Sequence, residues 1–126
     1  MADIIIEVGG EPFRASLTDE HSPRTVRQIL DALPIESVGR QWGEEIYFEI
    51  PVEAGLENGV EKVAKGDLGY WPAGKCFCIF YGRTPMSQSD EEIVPASAVN
   101  LVGRIENPDA LKTHPAGESV VIKLAE

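Results

Sequence analysis

The side chains best suited to hold a metal in this 126-residue chain are two cysteines, Cys76 and Cys78, and two histidines, His21 and His114. Zinc sites usually pair their ligands two to four residues apart. A C-x-C pair with scattered histidines does not match that spacing. His21 precedes a helix start and His114 precedes a proline, so both read as loop residues. No metal and no cofactor is expected. On a strand, Cys76 and Cys78 project from one face, and a bridge between them would strain the backbone. They read as buried free thiols of a reducing compartment.

Nucleophilic and acid–base chemistry finds little support. Ser22, Ser87, Ser89 and Ser97 lie in no G-x-S-x-G setting. Neither cysteine has a run of bases or a helix N-terminus to lower its pKa. Glu44 and Glu45 are adjacent, but on a strand they point to opposite faces and cannot act together. A solvated acidic face is the expectation for them and for Glu91 and Glu92. The stretches Gly66-Asp67-Leu68-Gly69 and Pro72-Ala73-Gly74-Lys75 match no phosphate-binding spacing, and no helix follows them.

One group of large side chains stands apart: Trp42, Tyr47, Tyr70, Trp71, Phe80, Tyr81 and Met86. Tyr70 and Trp71 must face opposite sides of their strand, and so must Phe80 and Tyr81. Half of these aromatics therefore point away from the core. Beside the polar loop 82–92, with Arg83 and Pro85, they suggest a shallow binding surface. Cover by helices or loops is the alternative.

The elements that position these residues are mostly strands. Asp3 to Val8 is β-rich, and Gly9-Gly10 signals a tight hairpin into Glu11–Leu17, where Phe13, Ala15 and Leu17 alternate inward. Pro12 suggests an edge or a bulge. Ser22 is a suitable N-cap and Pro23 a suitable first residue for a helix over about 23–33. Its Val26, Ile29, Leu30 and Leu33 form a single apolar stripe, so the helix lies on something rather than inside it. Ile35 to Gln41 is ambiguous. Glu44 to Ile50 alternates, with Ile46, Phe48 and Ile50 on one face and Glu45, Tyr47 and Glu49 on the other. Short strands are expected at Val60–Ala64, Leu68–Trp71, Cys76–Tyr81, Ala98–Ile105 and Ser119–Leu124. A short helix is expected at about 108–112. About eight strands and two helices argue for a closed or nearly closed antiparallel barrel, all-β in class. A doubly wound sheet would need alternating helices.

The length fits one domain, residues 1–126, with no linker or repeat. Hydrophobic residues make up 43%, enough for a packed core. Twenty-one acids oppose eleven bases for a net charge of -10, which disfavours nucleic acid and anionic membrane as partners. No apolar run approaches a spanning helix, and Met1-Ala2-Asp3 lacks a basic start, so a cytoplasmic location is expected.

Several strings carry a resemblance. Asp3 to Phe13 followed by Ser22 to Leu30 resembles the opening of a cyclophilin, and Gly74 to Ile79 resembles a later strand of that fold. Val102-Gly103-Arg104-Ile105, a short helix, Gly117 and Val120-Val121-Ile122 resemble its ending. The chain is similar in particular to a family of small archaeal and bacterial cyclophilin-like proteins. The marks of that family here are Trp42 to Phe48, Gly66 to Pro72 and Cys78 to Pro85. The resemblance implies an eight-stranded barrel with a helix at an end. Cyclophilins isomerise Xaa-Pro bonds with an Arg in a Phe-His-Arg segment, a Gln, a pocket Phe, and Trp and His on loops. No Phe-His-Arg occurs here. Cys76 stands at the Gln position, Cys78 at the pocket Phe, and the strand matching the His carries none. The standard catalytic set is absent.

The expectation is a non-enzymatic protein that binds a peptide or small molecule in the cyclophilin-type cleft. Trp42, Tyr47, Trp71, Phe80, Arg83, Thr84 and Met86 are the candidate lining residues, with Arg83 orienting a carbonyl or carboxylate. The alternatives are a divergent prolyl isomerase using Arg40 or Arg83, and a homodimer that buries an edge strand or the aromatic patch.

Overall fold

The computed structural model describes residues 2–125. Two glycines in left-handed backbone, Gly9 (φ 56°) and Gly10 (φ 89°), turn β1 (Ala2–Val8) into β2 (Glu11–Leu17), as a type I′ turn requires. Helix α1 (Pro23–Ala32) follows. Then come β3 (Ile35–Val38), β4 (Arg40–Gln41), β5 (Glu45–Glu49), β6 (Asp67–Trp71), β7 (Cys76–Phe80), β8 (Asn100–Ile105), a 3-10 helix (Pro108–Thr113) and β9 (Ser119–Leu124).

These strands form one antiparallel sheet in the order β3-β9-β1-β2-β8-β6-β7-β5-β4. The stretch that sequence leaves ambiguous supplies both ends of that order. β3 pairs with β9 and, one glycine later, β4 pairs with β5. Gly39 donates to the Glu118 carbonyl and accepts from Gly117 N–H at the crossing. The sheet is thereby a nearly closed barrel of nine strands rather than about eight. Pro12 pairs with Glu7 of β1 but lies outside the β2–β8 register, which spans Ala15–Leu17. A proline there removes no ladder bond to β8.

Val60–Ala64 is not a strand. Only two isolated bridges form, Val60 with Val99 and Val63 with Ile93. With loops on both sides and no continuous partner, the segment acts as a strap.

The barrel interior holds the main core. It includes Ile4, Ile6, Leu17, Ile46, Phe48, Leu68, Tyr70, Phe77, Ile79 and Ile122, all buried. Helix α1 adds Val26 and Ile29, with Leu30 and Leu33 packed alongside, as its stripe predicts. Its N-terminus is capped in an unexpected way. The Ser22 hydroxyl makes no cap bond and donates instead to the Glu57 carbonyl. The Glu57 carboxylate accepts from Arg24 N–H, Thr25 N–H and the Thr25 hydroxyl. Buried Asn100 accepts from Glu57 N–H and donates to Thr25 and Gly55. A carboxylate from a distant loop thus satisfies the open end of the helix.

Candidate functional site

Strands β5, β7 and β6 lie side by side, so their registers fix which side chains share a face. Ile46, Ile79 and Leu68 align, as do Phe48, Phe77 and Tyr70, and these look into the barrel. Between them alternate Glu45 with Phe80, Tyr47 with Cys78 and Gly69, and Glu49 with Cys76 and Trp71. This second set faces outward.

The hairpin before β5 extends the outer face. Trp42 and Glu45 exchange both backbone hydrogen bonds around the two-residue loop Gly43-Glu44. Gly43 has φ 62° and Glu44 does not enter the left-handed region, the pattern of a type II′ turn. A Cβ on Gly43 would also sit 2.8 Å from the Arg83 carbonyl oxygen. Residues opposite each other across a hairpin project to the same side, so Trp42 joins Glu45 and Tyr47, and Arg40, paired with Tyr47, joins them too.

The outer face is only partly covered. The loop 82–99 and the strap bring Val63, Ile93 and Val99 down onto Cys76, Cys78 and Phe80 to form a second apolar cluster. Gly69 makes room for this. A Cβ there would lie 3.2 Å from Val99 Cγ2 and 3.3 Å from the Phe80 ring. Tyr47, Val60, Trp71 and Leu101 pack at the margin of the cluster. Trp71 Nε1 donates to Ser97 Oγ at 2.5 Å, which ties the indole to the covering loop.

Where the cover ends, a pocket of about 180 Å³ opens, lined by Trp42, Glu45, Tyr47, Trp71, Pro95, Ala96 and Val99. Glu45 supplies the one carboxylate among the described lining residues. It does not belong to a solvated acidic face as expected. It is 5% exposed, because Phe80 lies opposite it on β7 and the covering loop closes over that side. Burial pushes its pKa up to about 7, and the adjacent Cys78 thiol acts in the opposite direction. Burial and the nearby Glu45 charge in turn push the Cys78 thiol well above its ordinary value. Burial likewise raises Cys76, so neither cysteine is poised as a thiolate. Both are free.

The structure brings three of the sequence-nominated residues, Trp42, Tyr47 and Trp71, into this pocket. Phe80 lies beneath it, fully buried in the second cluster. Thr84 is a buried loop tie that donates to the Val94 carbonyl at 2.5 Å. Arg83 is exposed and paired with Asp90 at 2.8 Å. Met86 is exposed on the covering loop. Arg40 stands in a broader neighbouring groove of about 650 Å³ that shares the Tyr47 and Trp71 wall and is also lined by Glu49 and Cys76.

The sequence does carry a signal for Glu45: strand alternation sets it beside Tyr47, on the face it shares with Phe80, Cys78 and Trp71. Pro95, Ala96 and Val99 carried none, since a loop has no periodicity to show which way it folds.

His114 is held elsewhere, on the opposite side of β4. Its Nδ1 meets Glu118 and its Nε2 meets Glu11, each at 2.7 Å, and its carbonyl accepts from Gln41 Nε2 at 2.6 Å. His21 is exposed beside Glu20. No group of three or more His, Cys, Asp or Glu among the described residues is placed to hold a metal. Among the described residues no helix is long and apolar enough to cross a membrane.

The family model described as Cyclophilin-like matches residues 2–123. Among solved structures, the chain is similar to the hypothetical protein AF2241 from Archaeoglobus fulgidus, determined in solution. The two share 44% identity, with 98% of this chain and 95% of that one covered and a TM-score of 0.83. It also superimposes on McbB, solved in complex with tryptophan, at 16% identity and a TM-score of 0.73. That match covers 96% of this chain and 44% of McbB, and it speaks to fold alone. Among curated proteins no relative matches.

Proposed function

We propose that this chain, which belongs to the Cyclophilin-like family, is a binding protein that seats a small molecule or a peptide side chain in the outer-face pocket. One observation carries the reading: Trp42, Tyr47 and Trp71 converge with a single buried polar group, Glu45, around a concave space. Apolar walls with few, well-placed polar groups are the usual make-up of a ligand site. The volume sets the scale, since a cavity of about 150 Å³ accommodates a benzene ring. The occupant is therefore one ring or one side chain in size.

The chain has only two tryptophans, and both line the pocket. Their indole N–H resonances report directly on occupancy. A screen of ring-sized fragments at millimolar concentration is expected to shift both. If no fragment moves either resonance, the reading is wrong.

Arg40 supports a second reading, a prolyl isomerase with a rebuilt site. Its side chain makes no ion pair among the described residues and shares a groove with Tyr47, Phe48 and Trp71. An arginine that donates to a prolyl amide weakens the resonance behind a barrier of about 18–20 kcal/mol. Arg83, by contrast, is engaged by Asp90. Exchange NMR on an Ala-Pro peptide tests this reading. Acceleration that disappears in Arg40→Ala supports it, and an unchanged exchange rate with wild-type protein removes it.

A further inference from the structure

We propose that the outer-face pocket selects a small organic cation, an ammonium group carried on about one ring of apolar atoms, with Glu45 as its counter-charge and Trp42, Tyr47 and Trp71 as its walls. The inference rests on the reading of this pocket as a ligand site and specifies its chemistry.

Four observations converge on it. Glu45 is buried yet has no cationic partner among the described residues, and a buried carboxyl group is normally paired. The Cys78 thiol beside it is a weak and neutral donor, and its sulfur bonds the Cys76 carbonyl at 3.9 Å. No Lys or Arg is among the described lining residues, so an anionic ligand would face a carboxylate with nothing to offset it. The walls favour the same charge. Aromatic faces attract cations, by about 0.5–1 kcal/mol when exposed and about 2 when desolvated. The net charge of -10 also steers cations toward the surface.

Binding is coupled to a proton. The free pocket holds Glu45 partly as the neutral acid near pH 7, because burial raises it. An ammonium ion favours the carboxylate, so entry releases the carboxyl proton to solvent, and one positive charge replaces another. Titratable and charged groups also lie on the elements packed against Glu45. On β7 these are Cys76 and Cys78, both with raised pKa, beside the neutral Phe80. On β5 and β4 they are Tyr47, Glu49 and Arg40. The covering loop contributes only Pro95, Ala96 and Val99.

The test compares three ring-sized probes of different charge: benzylammonium, benzyl alcohol and benzoate. Affinity is read from the indole N–H shifts of Trp42 and Trp71. At pH 8 benzylammonium is expected to bind about tenfold or more tighter than benzyl alcohol, with benzoate weakest. In Glu45→Gln that advantage is expected to fall severalfold, to what the aromatic walls alone supply. The wild-type protein gives an independent measurement should the variant fail to fold. Benzylammonium affinity is expected to rise about tenfold from pH 6 to pH 8, as a group titrating near 7 must be deprotonated. Calorimetry in buffers of different ionisation enthalpy should show close to one proton released at pH 6. Equal binding of benzyl alcohol and benzylammonium, with no pH dependence, overturns the cation assignment and leaves the pocket a ligand site. Failure of all three probes removes both.

Discussion

The two faces of the β5-β7-β6 sheet are built from the same strands and behave differently. The inner face looks into a nearly closed barrel, where most neighbours sit on strands held by ladders of backbone hydrogen bonds. Phe48 stacks on Phe77 at 5.5 Å between centroids, and Tyr70 donates to the Val52 carbonyl at 2.6 Å. The outer face is covered by a loop and a strap joined through two isolated bridges. It buries Phe80 as completely as the inner face buries Phe77. Yet it leaves an opening, and beside the opening a carboxyl group with no cationic partner among the described residues. Complete burial at one residue therefore does not mark a finished core. A core closed by strands has no room for an unpaired acid, whereas one closed by a loop can leave such a group at its mouth. Function is expected where the second kind of closure stops.

The largest effect should come from breaking the inner face. Phe77→Ala is expected to cost about 4 kcal/mol, because the cavity lies where the barrel cannot collapse. Phe80→Ala should fall at the low end of the range, about 3 kcal/mol, since the covering loop can settle into the gap. Urea unfolding of both variants measures the pair, and equal losses would erase the distinction between the faces.

Glu45 is next. Its folded pKa of about 7 exceeds its ordinary value of 4.5, so the folded state holds the proton more tightly. Between pH 4.5 and 7 the folded state binds more protons than the unfolded one, and stability falls as pH rises. The contribution is fully present below that window and lost above it, and amounts to about 3 kcal/mol. Glu45→Gln should therefore match wild type near pH 4 and exceed it above pH 7, by melting at a series of pH values. A difference independent of pH would mean that the acid is not held neutral by the pocket.

Gly69→Ala sharpens the comparison at one atom. The added methyl must push Val99 or Phe80 aside by a few tenths of an ångström. A cost of about 1 kcal/mol is expected, with the indole resonance of Trp71 displaced and the inner-face resonances of Phe48 and Phe77 unmoved.

The smallest effect lies away from both faces. Hydrogen bonding to Glu11, opposed by burial and aided by Glu118, raises the His114 pKa. A raised histidine stabilises fully below its unfolded value of 6.5, and the gain is lost as pH rises through the folded value. His114→Gln should lower the melting temperature at pH 5.5 and leave it nearly unchanged at pH 9.

Much of the fold was legible because strand and helix periods are local. The Gly9-Gly10 turn, the stripe of α1 and the alternation of Ile46, Phe48 and Ile50 each follow from a few neighbouring residues. Alternation also set Tyr47 opposite Ile46, Phe48 and Ile50, and Trp71 opposite Tyr70, but left open which aromatics face outward; only the folded chain brings Trp42, Tyr47 and Trp71 into one pocket. Arg83, Thr84 and Met86 were grouped with them through nearness in sequence, yet their loop turns them to solvent pairing, loop bonding and exposure. A loop's path depends on what it can bury against, and no period records it.

Sequence by itself determined which residues could share a face, since a two-residue period is a property of the strand backbone. Only the tertiary structure decided which outward face was covered, and hence that Glu45 is buried beside an aromatic pocket rather than solvated. Burial and the charge state that follows from it depend on segments remote in the chain: the strap at 60–63 and the loop at 93–99 close over a strand that begins at Glu45.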